Sequence, residues 1–252
     1  MKTAFFTWIS NNYRDYNIDF QSFYKSFKYF HKDIDLIIFD DSKINPLFRS
    51  KPWLKTTNCK ASFAKLLYND YDLLVNVDSD FYFFDRCNEI LTGDYDIAAC
   101  ANYNIVQNVS LKQQTINGYN IPYIDELHYI QGGMIASTSK EFWDEYEDLS
   151  RQFSDQLPLY ENDVLNILWS SGKYQTKILD GDYDYRSQKF ACYYNCTSLG
   201  RINNCIVHND RVYLDNKPMR CYHVAHGWHR RKDRVHELFP PDVSNWFYSK
   251  IQ

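Results

Sequence analysis

Three short apolar runs shape the first 80 residues, and the second and third end in acids. "TAFFTWIS" is β-rich, "DLIIFDD" spans Asp35 to Asp41, and "YDLLVNVDSD" closes on Asp78 and Asp80. Between the first two runs, Phe20, Phe23, Tyr24, Phe27 and Phe30 recur at the spacing of one helix face. Between the second and third, in "CKASFAKLLYNDY", Ala61, Ala64, Leu67 and Tyr68 do the same. The third run is continuously apolar, as a central parallel strand covered on both faces must be. The expected fold is therefore α/β, with a mainly parallel, Rossmann-like central sheet flanked by helices.

The rest of the chain continues the pattern. "YDIAAC" and "YIQGGMIAST" read as strands, "SKEFWDEYEDLSRQF" and "ENDVLNILWSSG" as helices, and "TKILD" and "RCYHVAH" as late strands. "LKQQTINGYNIPYIDELHY" reads as a long irregular insertion, a length often associated with functional lids. No Pro/Gly/Ser linker divides the chain, so residues 1–252 are expected to form a single domain. It would divide into two halves, one to about residue 101 and one from about residue 102.

Composition narrows the function classes. A net charge of -4 provides no global field for nucleic acid or an anionic membrane, so an anionic ligand needs a local basic cluster or a metal ion. No apolar run approaches the roughly 18 residues of a membrane span. The N-terminal "MKTAFFTWISNNY" lacks a signal-peptide core with a cleavage site, and the expected location is the cytoplasm. Seven cysteines without paired CxxC spacing read as free thiols buried as small hydrophobes. Twenty-two Tyr and 17 Phe are compatible with a sugar-stacking surface, but composition alone does not assign them to one.

Ligands of doubly wound sheets bind beyond the carboxyl ends of the strands. Asp40, Asp41, Asp78 and Asp80 all fall at such ends. Two carboxylates at i and i+2 just past a buried strand can turn toward one hard cation, Mn²⁺ or Mg²⁺, which keeps open positions for phosphates. D-x-D alone is a common surface pattern; its place after two strand and helix units is what gives it weight.

"DYDLLVNVDSDFYFF", "GDYDIAA", "YIQGGMIAST", "ENDVLNILW" and "YHVAHGWHRRKD" follow one another in an order that resembles nucleotide-sugar-dependent glycosyltransferases of the GT-A fold. The resemblance runs from about residue 3 to about residue 235, and it implies a nucleotide-binding half at about 1–101 and a sugar- and acceptor-binding half at about 102–252. It implies a metal-dependent transfer of a sugar from a nucleoside-diphosphate sugar, UDP-sugar first among donors, to a hydroxyl of a glycan or other acceptor. Asp78 would face the ribose and the metal, and Asp80 would be the principal metal ligand. A His near the C-terminal end would complete the set, His226 before Gly227 or else His223. Gly132 and Gly133 resemble a small-residue turn under the donor sugar. Glu161 and Asp163 resemble the acids at a helix start near the reacting centre, although capping would also place acids there. Asp40 or Asp41 would hold the base or ribose, Trp8 and its loop would lie beside the base, and Lys60 and Arg230 would face the nucleotide or its phosphates.

Two other classes use some of the same features. A metal-dependent sugar nucleotidyltransferase or phosphohydrolase would need more acids around two metals, and a noncatalytic carbohydrate-binding module would account for the aromatics alone.

Overall fold

The computed structural model describes residues 1–9, 16–40, 42, 59–101, 111–116, 118–124, 128–179, 194–195, 204–214, 216–223 and 235–252. The chain opens with β1 (Thr3–Trp8), α1 (Tyr16–Phe30), β2 (Asp35–Phe39), α2 (Lys60–Lys65) and β3 (Leu73–Val77). There follow β4 (Phe81–Phe83), β5 (Ile97–Ala101), β6 (Gln114–Ile116), β7 (Tyr119–Ile121) and β8 (Ile130–Ser137). Next come α3 (Lys140–Phe153), α4 (Glu161–Ser170), β9 (Thr176–Ile178), β10 (Tyr194–Asn195), β11 (Cys205–His208) and β12 (Arg211–Leu214). The last elements are β13 (Lys217–Pro218), β14 (Cys221–His223), α5 (Val235–Leu238) and α6 (Pro241–Ile251).

The central sheet has six strands in the order β2-β1-β3-β8-β5-β9. β1 pairs in parallel with β2 and β3, β5 pairs in parallel with β9, and β8 runs against both of its neighbours. The sheet is thus mainly parallel, as expected. All five residues of β3 are buried, because β3 has a strand on each side and a helical layer on each face. Each such Leu or Val contributes about 1.5–3 kcal/mol by leaving water. β2, for all its apolar sequence, is the edge strand and leaves Ile38 39% exposed.

Alternation along the strands divides the core. Ala4, Phe6, Leu74 and Ile135 face α2, α3 and α4, while Phe5, Val75, Val77 and Met134 face α1 and β4. α1 buries Phe23 and Phe27 but leaves Tyr24 37% exposed, at the margin of the stripe read from the sequence. α3 starts where Ser139 accepts the Phe142 N–H at 3.1 Å, a side-chain cap, and it buries Phe142, Trp143, Tyr146 and Phe153. Many of the described aromatics are buried. Phe5, Phe27 and Phe83 form one packed group, and Phe39 stacks on Phe63 with ring centres 4.4 Å apart. Cys59, Cys87, Cys100, Cys205 and Cys221 are buried, as the sequence led us to expect.

The expected irregular insertion is instead organised. β6 and β7 form an antiparallel hairpin, closed further out by the Leu111–Ile124 bridge, and Leu111, Ile116, Ile121 and Ile124 join the main core. Gly118, at φ 82°, occupies the turn. A second small sheet, β10-β14-β4, sits beyond the end of β3, and over it α5 and α6 pack Val235, Phe239 and Phe247 against Tyr82, Phe84 and Tyr222. Among the described residues no helix is long and apolar enough to cross a membrane.

Candidate active site

β3 ends at Val77, and the chain turns through Asp78 and Asp80 straight into β4. The Asp78 N–H donates to the Gly133 carbonyl at 2.8 Å, continuing the β3–β8 pairing by one step and fixing the turn. β4 runs antiparallel to β14, with Phe81 opposite His223. That register brings His223 to the two acids across 143 residues of sequence: its Nε2 lies 3.0 Å from Asp80 Oδ1 and 3.7 Å from Asp78 Oδ2. The ring stacks on Phe81 at 4.4 Å and is 3% exposed. Asp78, Asp80 and His223 each offer one ligand atom within 4.8 Å of the others. Two carboxylate oxygens and one imidazole nitrogen suit Mn²⁺ or Mg²⁺, with positions left for a ligand's oxygens.

Lys60, the first residue of α2, reaches into the same place from the other face of the sheet. Its ammonium donates to the Gly132 carbonyl at 2.6 Å and lies 3.1 Å from Asp78 and 3.8 Å from Glu161. Burial works against its charge, but Asp78, Glu161 and Asp80 outweigh it and raise the Lys60 pKa. Burial likewise works to raise the Asp80 pKa, but His223 and Lys60 outweigh it and lower the value. Both groups therefore keep their charges.

The glycines do not form the expected turn. Both lie within β8, where the pairing with β5 jumps from Ala99–Ile135 to Cys100–Gln131 and leaves residues 132 to 134 as a bulge. The bulge turns peptide groups out of the ladder: the Gly132 N–H donates to Asn162 Oδ1 at 2.8 Å, and the Gly133 N–H donates to Gln131 Oε1. A Cβ on Gly133 would fall 2.6 Å from Gln131 Oε1 and 2.7 Å from His223 Cε1. Glycine is required there for the close approach of the imidazole.

The two acids at the start of α4 have different surroundings. Glu161 is buried beside Lys60. Asp163 is buried with both oxygens engaged: Oδ1 accepts from the Tyr129 hydroxyl at 2.7 Å and Oδ2 from the Leu159 N–H at 2.8 Å. Burial raises the Asp163 pKa, opposed by those two donors. As the third residue of the helix, Asp163 reaches back past the N-terminus as in a capping box. It also holds a strained entry, since Tyr160 sits at φ 51°, ψ -125°.

Half-buried Asp40, after β2, accepts the Ser42 N–H at 2.9 Å. Trp8 ends β1, and its buried indole N–H has no hydrogen-bond partner. Asp41, His226 and Arg230 lie outside the described residues. Sequence reasoning missed Gln131, Asn162, Tyr129 and Phe81, which act on other site residues and leave no periodic signal.

The mainly parallel sheet with one reversed strand is the GT-A fold, shared with solved glycosyltransferases. Among solved structures, the chain is similar to the apo WbbM bifunctional glycosyltransferase, with a TM-score of 0.56 and 10% identity over 99% of this chain. It spans about half, 49%, of that chain. An active-site mutant of LgtC is similar at a TM-score of 0.50 and 14% identity, covering 98% of this chain and 94% of that one. At these identities the likeness is one of fold. No family model and no curated protein matches the sequence.

Proposed function

We propose that the protein is a divalent-metal-dependent glycosyltransferase that moves a sugar from a nucleoside-diphosphate sugar, a UDP-sugar first, to a hydroxyl of a glycan acceptor. The observation that carries this reading is the convergence of Asp78, Asp80 and His223 at the carboxyl end of the central strand. When bound there, Mn²⁺ or Mg²⁺ would offset the charge that develops on the departing nucleoside diphosphate. Asp78, Asp80 and His223 would hold it.

Lys60 keeps Asp78 and Glu161 oriented and places one positive charge beside the anionic donor. Glu161 is the acid we assign to the reacting centre, where it would touch the sugar hydroxyls or take the acceptor proton in an inverting reaction. Asp163 frames the entry to α4, because both its oxygens already accept hydrogen bonds. Gly132, Gly133, Trp8, Asp40, Asp41 and Arg230 remain the donor-side candidates.

Calorimetric titration with UDP, with and without Mn²⁺, on the wild type and on Asp80→Ala, tests the reading. Binding that needs both the metal and Asp80 is expected. Binding of GDP in place of UDP would change the donor only. Failure of every nucleoside diphosphate to bind with metal would overturn the proposal. Release of a nucleoside monophosphate from a nucleotide sugar would favour a nucleotidyltransferase or phosphohydrolase.

A further inference from the structure

Beyond the three candidate ligands, one side chain stands against the far side of the imidazole. Gln131 Nε2 lies 3.5 Å from His223 Nδ1, while Gln131 Oε1 accepts the Gly133 N–H. With its oxygen engaged, the amide offers the ring only N–H donors, so Nδ1 must be the acceptor and the neutral ring carries its proton on Nε2. That proton points at Asp80 Oδ1, 3.0 Å away. Such a tautomer suits the acids in the absence of metal, but it leaves Nε2 without a lone pair for a cation.

We infer that Gln131 is a positioning residue that sets the His223 tautomer and turns its amide when a metal binds. The inference rests on the metal reading of the site given above. For Nε2 to become a ligand, its proton leaves to solvent and one from solvent arrives at Nδ1, so the ring stays neutral. Nδ1–H then needs an acceptor. Rotation of the Gln131 amide by half a turn brings Oε1 to that position, as outer groups commonly do for a metal-bound histidine. The same rotation turns Nε2 toward the Gly133 N–H, so the ligand form of the ring is reached at the loss of that backbone hydrogen bond. Glycine at 133 leaves the space in which both the amide and the ring stand.

The tautomer is read by ¹⁵N-labelled histidine NMR of the wild type, with His223→Ala for assignment. The metal-free protein is expected to show Nε2–H at His223, and addition of Mg²⁺ with UDP is expected to move the proton to Nδ1. In parallel, Mn²⁺ titrations in the presence of UDP compare Gln131→Met with Gln131→Glu. The methionine variant should lose about tenfold or more in metal affinity, whereas the glutamate variant, which offers Nδ1–H a fixed acceptor, should stay within a few-fold of wild type. Nδ1–H already present without metal, or a folded methionine variant that binds Mn²⁺ like wild type, would overturn the inference while leaving the metal site standing. No metal binding by the wild type would overturn both readings.

Discussion

Gly133 combines three constraints at one residue. Its carbonyl fixes Asp78, its N–H engages Gln131, and its missing Cβ makes room for His223. Gly133→Ala must push either the imidazole or the Gln131 amide aside. We expect about 1–3 kcal/mol of destabilisation, as for other overpacked sites, together with at least a several-fold loss of Mn²⁺ affinity, measured by urea unfolding and metal titration. The acids at 78 and 80 are legible in the sequence because a carboxylate directly after a strongly apolar run has no packing role. The glycines were legible as a motif but misread as a turn, since a bulge is defined by its two partner strands. Of the two histidines weighed, His223 reaches the acids through a pairing register that no local pattern encodes. Gln131 had no sequence signal at all.

At the scale of elements, α2 shows how a short helix is held in place. Six residues cannot sustain a helix in water on their own, so its position depends on packing against α3. Buried Glu147 of α3 makes that connection, receiving the Ser62 hydroxyl and lying 2.9 Å from Lys65 and 2.7 Å from Arg151. Burial would raise the Glu147 pKa, but Ser62, Lys65 and Arg151 outweigh it and hold the value below the ordinary 4.5. A lowered acid pKa adds stability that is fully present above the unfolded value and is lost as pH falls through the folded one. Glu147→Gln is therefore expected to flatten the fall in melting temperature below about pH 4.5. At pH 7 it should cost about 1.5–3 kcal/mol, the range for hydrogen bonds to a charged group. It should also weaken nucleotide binding through displacement of Lys60, and unchanged UDP affinity in the folded variant would refute that link. The β6–β7 hairpin illustrates the opposite case. Asn117-Gly118 is a strong two-residue hairpin signal, set within a segment whose length and polarity read as irregular.

Across the whole molecule, the site lies where the central sheet meets the β10-β14-β4 sheet, and Phe83 helps join them. It is fully buried and packs on Phe5, Phe23, Phe27 and His31. Phe83→Ala should cost about 3–5 kcal/mol in urea unfolding, as large-to-small core changes do. Because β4 follows Asp80 directly and pairs with the strand bearing His223, the variant should also lose metal affinity; full retention would show that the β4–β14 pairing does not depend on Phe83. The alternation of apolar runs and helical stripes determined the α/β class, the burial of β3 and the place of Asp78 and Asp80, because each of these follows from local periodicity and the aversion of charge to a covered strand. Tertiary structure alone decided the reversal of β8, the exposure of edge strand β2, the bulge at Gly132 and Gly133, and the meeting of Lys60, Glu161 and His223 with the acids. Those features depend on pairing register and on contacts between residues dozens to more than a hundred positions apart, which are set when the sheets and helices pack against one another.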